Sequence, residues 1–291
     1  YKKMVGGKQM KIGVVGNGYV GGAISYGFSP ASTGRCEVRV HDVMPERSMN
    51  TLEETVNDSD FVFVSVPTPM NKNGSISLKY INEAFKQINA INRRLDNIII
   101  LKSTVVPGTT EKLQEKYPDL NIIFSPEFLT EKSARLDFIN QDRVVFGGDK
   151  LHTAKVSELF NERFKYCHII QTDYKTAEMI KYFSNVFFTV KVSFANEMKQ
   201  ICDTIGADWD IALEGFVADG RVGDSHLNVP GPDGRLGFGG SCFPKDINAF
   251  MSFAKSVGVD INTIKGAWET NLQVRPEQDW KELKGRAVID E

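Results

Sequence analysis

Cysteine is scarce in this chain: four in 291 residues, at Cys36, Cys167, Cys202 and Cys242. They are scattered, and no two form a Cys-x-x-Cys pair. Neither a disulfide framework nor a cysteine-based zinc site is expected, and no metal is assigned. A reducing, cytoplasmic setting suits a chain built this way. Net charge is scarce as well. Lys and Arg number 35 and Asp and Glu 37, leaving -2 at pH 7. That gives no electrostatic reason to expect nucleic acid or a membrane surface as partner. No apolar run approaches the roughly 18 residues of a membrane span. The start, Tyr1 to Met10, is polar and short, so no signal peptide is expected and residues 1–9 read as a flexible extension. What remains is ordinary globular composition, 41% hydrophobic and 25% charged, with enough length for two domains.

The first patterned segment, Met10–Val15, is a short apolar strand. It runs into Gly16-Asn17-Gly18-Tyr19-Val20-Gly21, after which a helical segment and a second strand, Glu37–His41, end at Asp42. A lone G-x-G-x-x-G is weak. Here it follows a strand, opens a helix and has an acidic residue about 20 positions on, which is the dinucleotide-binding arrangement. Gly16 would allow the tight turn, Gly18 would let the backbone meet a pyrophosphate, and Gly21 would let helix and strand pack closely. The phosphates would face the helix N-terminus, with Tyr19 and Val20 in its first turn. Asp42 would accept hydrogen bonds from ribose hydroxyls and repel a 2′-phosphate, which favours NAD over NADP.

More strand-then-turn units follow. Asp60–Val66 is fully apolar, as in a parallel sheet buried on both faces, and ends in Pro67-Thr68-Pro69. Asn71–Ser77 reads as a polar spacer. Leu78–Arg94 has helical spacing. Asn97–Lys102 is a strand ending in Ser103-Thr104-Val105-Val106-Pro107-Gly108. Asn121–Phe124 leads to Pro126-Glu127-Phe128-Leu129-Thr130-Glu131. Arg143–Gly147 and His168–Gln171 are further strands, with helical Leu151–Phe164 between them. In open α/β sheets ligands sit beyond the carboxyl ends of the strands, where Pro67, Thr68, Ser103, Thr104 and Glu127 all fall.

Near Thr172 the pattern changes. Residues 175–205 contain no Pro and no Gly, and apolar residues recur at three- and four-residue steps, predicting a helix of over 40 Å at about 1.5 Å per residue. Such a helix suits a backbone between domains and part of a dimer face. Lys181 and Asn185, four apart, share one side of it. Short helices are expected over Asp208–Phe216, Lys245–Val257 and Ile261–Val274. Between the first two runs a long Gly/Pro-rich loop delivers Gly237-Phe238-Gly239-Gly240-Ser241-Cys242-Phe243-Pro244-Lys245-Asp246. Its glycines would let the backbone approach a ligand, and a cation beside a thiol favours the nucleophilic thiolate. The expected architecture is α/β: a Rossmann-like doubly wound parallel sheet over 1–172, a mainly helical domain opened by the long central helix over 173–280, and a charged tail over 281–291.

These motifs, taken in order, resemble the UDP-glucose/GDP-mannose dehydrogenase family, closest to its UDP-glucose 6-dehydrogenase branch. The resemblance rests on Gly16–Gly21, Ser103–Gly108, Pro126–Glu131, Lys181-x-x-x-Asn185 and Gly237–Asp246. It implies a cytoplasmic NAD-dependent oxidoreductase that takes the C6 alcohol of a nucleotide sugar to the carboxylate with two NAD per turn, UDP-glucose giving UDP-glucuronate. On that resemblance Cys242 carries a thiohemiacetal and then a thioester. Lys181 stabilises the oxyanion with Asn185 beside it, Asp246 assists proton transfer, and Glu127 and Thr104 hold a water. Glu127, Phe128, Leu129, Glu131, Lys181, Asn185, Phe238, Gly239 and Gly240 contact the substrate. Gly16, Gly18, Tyr19, Val20, Gly21, Asp42, Pro67, Thr68, Ser103, Thr104 and Lys245 serve the cofactor. Arg221 resembles an arginine that reaches the neighbouring subunit's substrate, which implies a homodimer.

The departure from the family pattern is at the end. Trp280–Asp290 reads like the approach to a third, nucleotide-covering domain that this sequence does not contain. Another nucleotide sugar, GDP-mannose or UDP-N-acetyl-mannosamine, fits the same motifs. A 6-phosphogluconate or β-hydroxyacid-type dehydrogenase would share the Rossmann unit, long helix and Lys-x-x-x-Asn pair but use no thiol. A non-catalytic NAD-binding module would keep the cofactor site alone.

Overall fold

Residues 9–33 and 36–290 are described by a computed structural model. The expected N-terminal extension falls, for residues 1–8, outside the described residues. Seven strands form one sheet: β1 (Met10–Val15), β2 (Cys36–His41), β3 (Phe61–Val64), β4 (Ile98–Leu101), β5 (Asn121–Phe124), β6 (Arg143–Gly148) and β7 (His168–Thr172), in the order β2-β1-β3-β4-β5-β6-β7. The helices are α1 (Tyr19–Gly27), α2 (Pro30–Thr33), α3 (Leu52–Asn57), α4 (Lys79–Ile91), α5 (Thr109–Lys116), α6 (Ala134–Ile139), α7 (Lys150–Arg163), α8 (Tyr174–Ile205), α9 (Trp209–Val217), α10 (Phe243–Ser256) and α11 (Asn262–Val274).

The strands are continuously apolar because both faces of the sheet are covered. Ile12, Val14, Phe63, Ile98, Ile100, Ile123, Val144 and Phe146 pack on one side with Ile24 of α1, Phe138 of α6 and Phe160 of α7. Their alternates, Val62, Val64, Ile99, Leu101, Ile122, Phe124 and Val145, pack on the other with Val56 of α3, Phe85 of α4 and Leu113 of α5. The period of two along each strand thus feeds two cores, as a doubly wound sheet requires. One pairing departs from the expected parallel sheet: β5 and β6 run antiparallel, Ile123 opposite Gly148. A parallel return needs a helix long enough to carry the chain back along the sheet. Here α6 has six residues, about 9 Å of rise, so β6 starts from the end at which β5 stopped.

The chain divides into two compact units, residues 1–68 with 78–181, and residues 69–77 with 182–291. The first holds the sheet. In the second, α9, α10 and α11 accompany the continuation of α8. Asp208 starts α9 by accepting from the amides of Asp210 and Ile211, at 3.0 and 3.1 Å.

Two segments do more than their composition suggested. Met70, at the head of the stretch expected to be a spacer, exchanges main-chain hydrogen bonds with Ala287 and Ile289, at 2.8 and 3.0 Å. The segment expected to be a charged tail buries Ala287, and just before it Trp280 is buried with its ring 5.4 Å from that of Trp268. Main-chain pairing leaves no trace in side-chain composition, and one buried tryptophan outweighs several exposed charges. Among the described residues no helix is long and apolar enough to cross a membrane.

Candidate active site

In the sheet unit, the glycine loop after β1 is shaped by steric need. Gly16 has φ +90°, and a Cβ there would stand 2.2 Å from the Ser65 carbonyl oxygen. A Cβ on Gly21 would stand 1.9 Å from the Gly16 oxygen, so α1 can lie this close to β1 only with glycine. Gly18 is different: a Cβ there would meet nothing within 4 Å. It precedes α1, which has no side-chain cap. No side chain of the N-cap competes for this helix N-terminus, the place where an anion binds. Asp42, at the end of β2, accepts from the Asn17 amide at 2.6 Å and the Met44 amide at 2.8 Å. This loop fits a dinucleotide: tight where the protein packs on itself and open where phosphates would approach. Tyr19 and Val20 are half-buried in the first turn of α1.

The strand ends carry the other expected residues. Ser103 accepts from the Val66 amide at 2.9 Å and donates to the Val66 carbonyl at 2.7 Å, tying the ends of β3 and β4 together. Thr68 is buried, Thr104 is half-buried and Pro67 is exposed. After β5, Glu127 is buried and accepts from the Leu129 amide at 2.6 Å. Lys181, on the first turns of α8, is also buried; its Nζ donates to the Glu127 carbonyl at 2.6 Å and to the carboxylate at 3.1 Å. The same ammonium lies 5.5 Å from the Phe128 ring centroid. Phe128 and Leu129 are half-buried and Glu131 is exposed.

A third ionisable group belongs to this cluster. Lys102, between β4 and Ser103, is buried and donates to Ser125 Oγ and the Pro126 carbonyl, both at 3.0 Å. Burial pulls it down to about 7; the Glu127 carboxylate opposes that shift and Lys181 adds to it. Sequence reasoning passed over Lys102, though a charged residue continuing an apolar strand was a visible signal. It also passed over Glu178, fully buried on α8, which accepts from the Gly108 and Thr110 amides at 2.6 and 2.8 Å and from the Thr110 hydroxyl at 2.7 Å.

In the helical unit, Cys242 immediately precedes α10, with Ser241 Oγ 3.7 Å from its sulfur. Negative charge is stabilised at a helix N-terminus. One turn on, Asp246 is buried between two donors: Asn185 Nδ2 at 2.6 Å, and the Lys245 ammonium in close contact. The Lys245 charge that sequence placed beside the thiol is thus engaged by Asp246. Arg221 is exposed and pairs with Asp219, Nε to Oδ1 at 2.9 Å.

The glycines ahead of Cys242 differ in what they face. A Cβ on Gly237 would lie 2.3 Å from Asn271 Oδ1, and one on Gly239 2.4 Å from an Arg275 nitrogen. Only Gly240, at φ +73°, has open space around it. Asn271, fully buried on α11, accepts from the Phe238 amide at 2.7 Å and donates to its carbonyl at 3.0 Å; Asn196 accepts from the Gly237 amide at 3.1 Å. Arg275, also buried, spans Asp233 at 2.7 Å and Asp279 at 2.6 Å. At Gly237 and Gly239 protein packs too close for any side chain.

The profile described as the NAD binding domain of the UDP-glucose/GDP-mannose dehydrogenase family matches residues 43–165, and that of the family's central domain matches 175–273. The chain belongs to the UDP-glucose/GDP-mannose dehydrogenase family. It is 35% identical over 235 residues to the UDP-glucose 6-dehydrogenase TuaD of Bacillus subtilis, covering 78% of this chain and 49% of that protein. It is 37% identical over 227 residues to YwqF of the same organism, also a UDP-glucose 6-dehydrogenase, covering 75% and 50%. A solved UDP-glucose dehydrogenase from Pyrobaculum islandicum superposes with a TM-score of 0.79 at 29% identity, covering 93% of this chain and 70% of the other. The chain spans about half the length of the curated relatives it matches. The cofactor of the family's N-terminal domain is NAD.

Proposed function

We propose that this chain performs the NAD-dependent four-electron oxidation of a nucleotide sugar's C6 alcohol to the carboxylate, with UDP-glucose the substrate and UDP-glucuronate the product. The observation that carries this reading is the head of α10, where Cys242 precedes the helix and Asp246 is held by Asn185 at 2.6 Å. A single alcohol oxidation needs no thiol; taking an aldehyde to an acid needs an adduct that can lose a hydride.

NAD, when bound, accepts one hydride in each of the two oxidations. The C6 alcohol first loses a hydride and its hydroxyl proton, giving the aldehyde. The Cys242 sulfur adds to the aldehyde carbon, forming a C–S bond and a thiohemiacetal. Loss of the second hydride and the hydroxyl proton leaves a thioester. Water adds to the thioester carbon, the C–S bond breaks, and the carboxylate leaves as the thiol is restored. Lys181 and Asn185 stabilise negative charge on the C6 oxygen, Asp246 moves protons at the sulfur, and Glu127 with Thr104 orients the water. Substrate contacts fall to Glu127, Phe128, Leu129, Glu131, Phe238, Gly239 and Gly240. Gly16, Gly18, Tyr19, Val20, Gly21, Asp42, Pro67, Thr68, Ser103, Thr104 and Lys245 serve the cofactor.

The active species in this reading is a homodimer through α8. One side of that helix exposes Phe183 (68%), Phe187 (59%), Phe194, Met198 and Ile201, a contiguous apolar stripe of the kind that marks an interface. Arg221, exposed beside Asp219, would then serve the partner's substrate. NADH release from a panel of UDP- and GDP-sugars, with a β-hydroxyacid as control, tests the reading. UDP-glucose should give the highest rate. Turnover of the hydroxyacid, or of no sugar at all, would overturn it.

A further inference from the structure

The stretch that delivers Cys242 is neither helix nor strand over residues 236–240, yet its main chain is tied down by buried side chains of other elements. Asn271, fully buried on α11, holds Phe238 at two points: Oδ1 accepts from the Phe238 amide at 2.7 Å and Nδ2 donates to the Phe238 carbonyl at 3.0 Å. Asn196 of α8, also buried, takes the Gly237 amide at 3.1 Å. The Arg275 guanidinium donates to the Leu236 carbonyl at 3.3 Å. Three consecutive residues are thus held by side chains instead of a ladder. The Phe238 ring carries the constraint forward. It meets the Phe243 ring edge-on with centroids 6.2 Å apart, and the Trp268 ring of α11 lies 6.1 Å from it. Phe243 follows Cys242, opens α10 and also packs 6.3 Å from Phe188 of α8. The thiol therefore stands between a clasped main chain and a packed ring.

We propose that Asn271 is a positioning residue for Cys242: by holding Phe238 at both its amide and its carbonyl, it sets where the sulfur stands when the aldehyde carbon arrives. The inference rests on the proposed reaction, in which the thiol is needed only after the first hydride has left. Asn271 acts through the Phe238 main chain and through the contact of the Phe238 and Phe243 rings. Its loss should fall on one step. Oxidation of the alcohol to the aldehyde forms no C–S bond; adduct formation does, and displacing a reacting atom by about 1 Å can cost about 10²-fold. A residue that only stabilised the fold would slow both oxidations alike, by lowering the fraction of folded enzyme.

Turnover of UDP-glucose with NAD in the presence of hydroxylamine tests this on the whole chain. Hydroxylamine captures free aldehyde as the oxime and thioester as the hydroxamate. The ratio of oxime to carboxylate plus hydroxamate reports how the aldehyde partitions, whatever fraction of the enzyme is folded. Asn271→Ala should raise that ratio about tenfold or more. Ser193→Ala is the control. Ser193 is buried on α8 and its hydroxyl donates to the Ala267 carbonyl of α11 at 2.7 Å, so it links the same two helices without reaching the loop; it should leave the ratio unchanged. An unchanged ratio in Asn271→Ala, or an equal rise in Ser193→Ala, would overturn the proposal. Amide exchange on the wild type keeps it falsifiable if Asn271→Ala fails to fold: the Phe238 amide should exchange about 10²-fold more slowly than an open loop amide, and exchange at the open rate would overturn the clasp. No product of either kind from any nucleotide sugar would sink the reaction, while slow Phe238 exchange would still uphold the clasp. Acid formation in which Asn271→Ala partitions as wild type does would remove the clasp and leave the reaction.

Discussion

Asn185 Nδ2 donates to Asp246 Oδ2 at 2.6 Å, and both side chains are buried, with the Lys245 ammonium on the other carboxylate oxygen. The aspartate is thus fixed one turn beyond Cys242 by one neutral and one charged donor. Asp246→Asn keeps the size but leaves Lys245 as a buried cation without its partner. Breaking such a pair costs about 3–5 kcal/mol, whereas Asn185→Ala removes one neutral donor to a charged group, about 1.5–3 kcal/mol. Urea unfolding should rank the two in that order. Turnover of Asp246→Asn should fall about 10²- to 10⁴-fold, the usual range for a lost general acid or base; activity within threefold of wild type would remove Asp246 from the chemistry.

Glu178 satisfies the Gly108 and Thr110 amides from a fully buried position on α8. Burial raises its pKa, and its hydrogen bonds to Thr110 and Gly108 oppose that rise. Glu178→Gln places an amide against at least one of the donors and should cost about 1–3 kcal/mol; Glu178→Ala, which strands the Gly108 amide and both donors of Thr110, should cost more. Because the folded pKa lies above the unfolded one, the folded chain holds more protons between them, so wild-type stability relative to Glu178→Gln should decline as pH rises from about 4.5. Melting of both variants from pH 4 to 7 checks the direction.

Lys102 gives the opposite slope. It titrates at about 7 in the fold against an ordinary lysine value of 10.5. Between those values the unfolded chain binds more protons, so stability rises with pH. Relative to wild type, Lys102→Met should be at its most favourable at or below pH 7 and should lose ground steadily toward pH 10. Parallel melting curves at pH 6.5, 8 and 9.5 measure the gap; a constant gap would contradict the buried-cation account.

The exposed stripe on α8 predicts association. Phe187→Glu places a charge in its middle, with the stripe otherwise intact. Sedimentation of wild type should show a dimer and that of Phe187→Glu a monomer of unchanged far-ultraviolet circular dichroism. A wild-type monomer at 50-fold the assay concentration would remove the dimer from the account.

How much of this was legible in the sequence depends on whether the determinant is local. Met10–Val15, Asn121–Phe124 and the long helix were visible because burial on two faces, or on one helical side, writes a period into the chain. Helix α5 (Thr109–Lys116) was not, since its polar residues carry almost no apolar pattern. The antiparallel β6 was invisible because a buried strand reads the same in both directions. At the site, the residue types stood out at Cys242, Lys181 and Glu127. Their supports did not. Asn196, Asn271 and Arg275 look like the solvated side of a helix until the fold turns them onto the Gly237–Gly239 backbone. The glycines were visible, but whether each yields to a ligand or to an asparagine is settled only by what stands opposite its Cα.

The central claim is that Cys242 carries the substrate carbon between two oxidations. The stoichiometry of NADH to sugar consumed, measured to completion with limiting UDP-glucose on wild type and Cys242→Ala, tests it most directly. The account predicts two NADH and one UDP-glucuronate per sugar for wild type, and no acid from the alanine variant. One NADH per sugar, or full acid formation without the thiol, would contradict it.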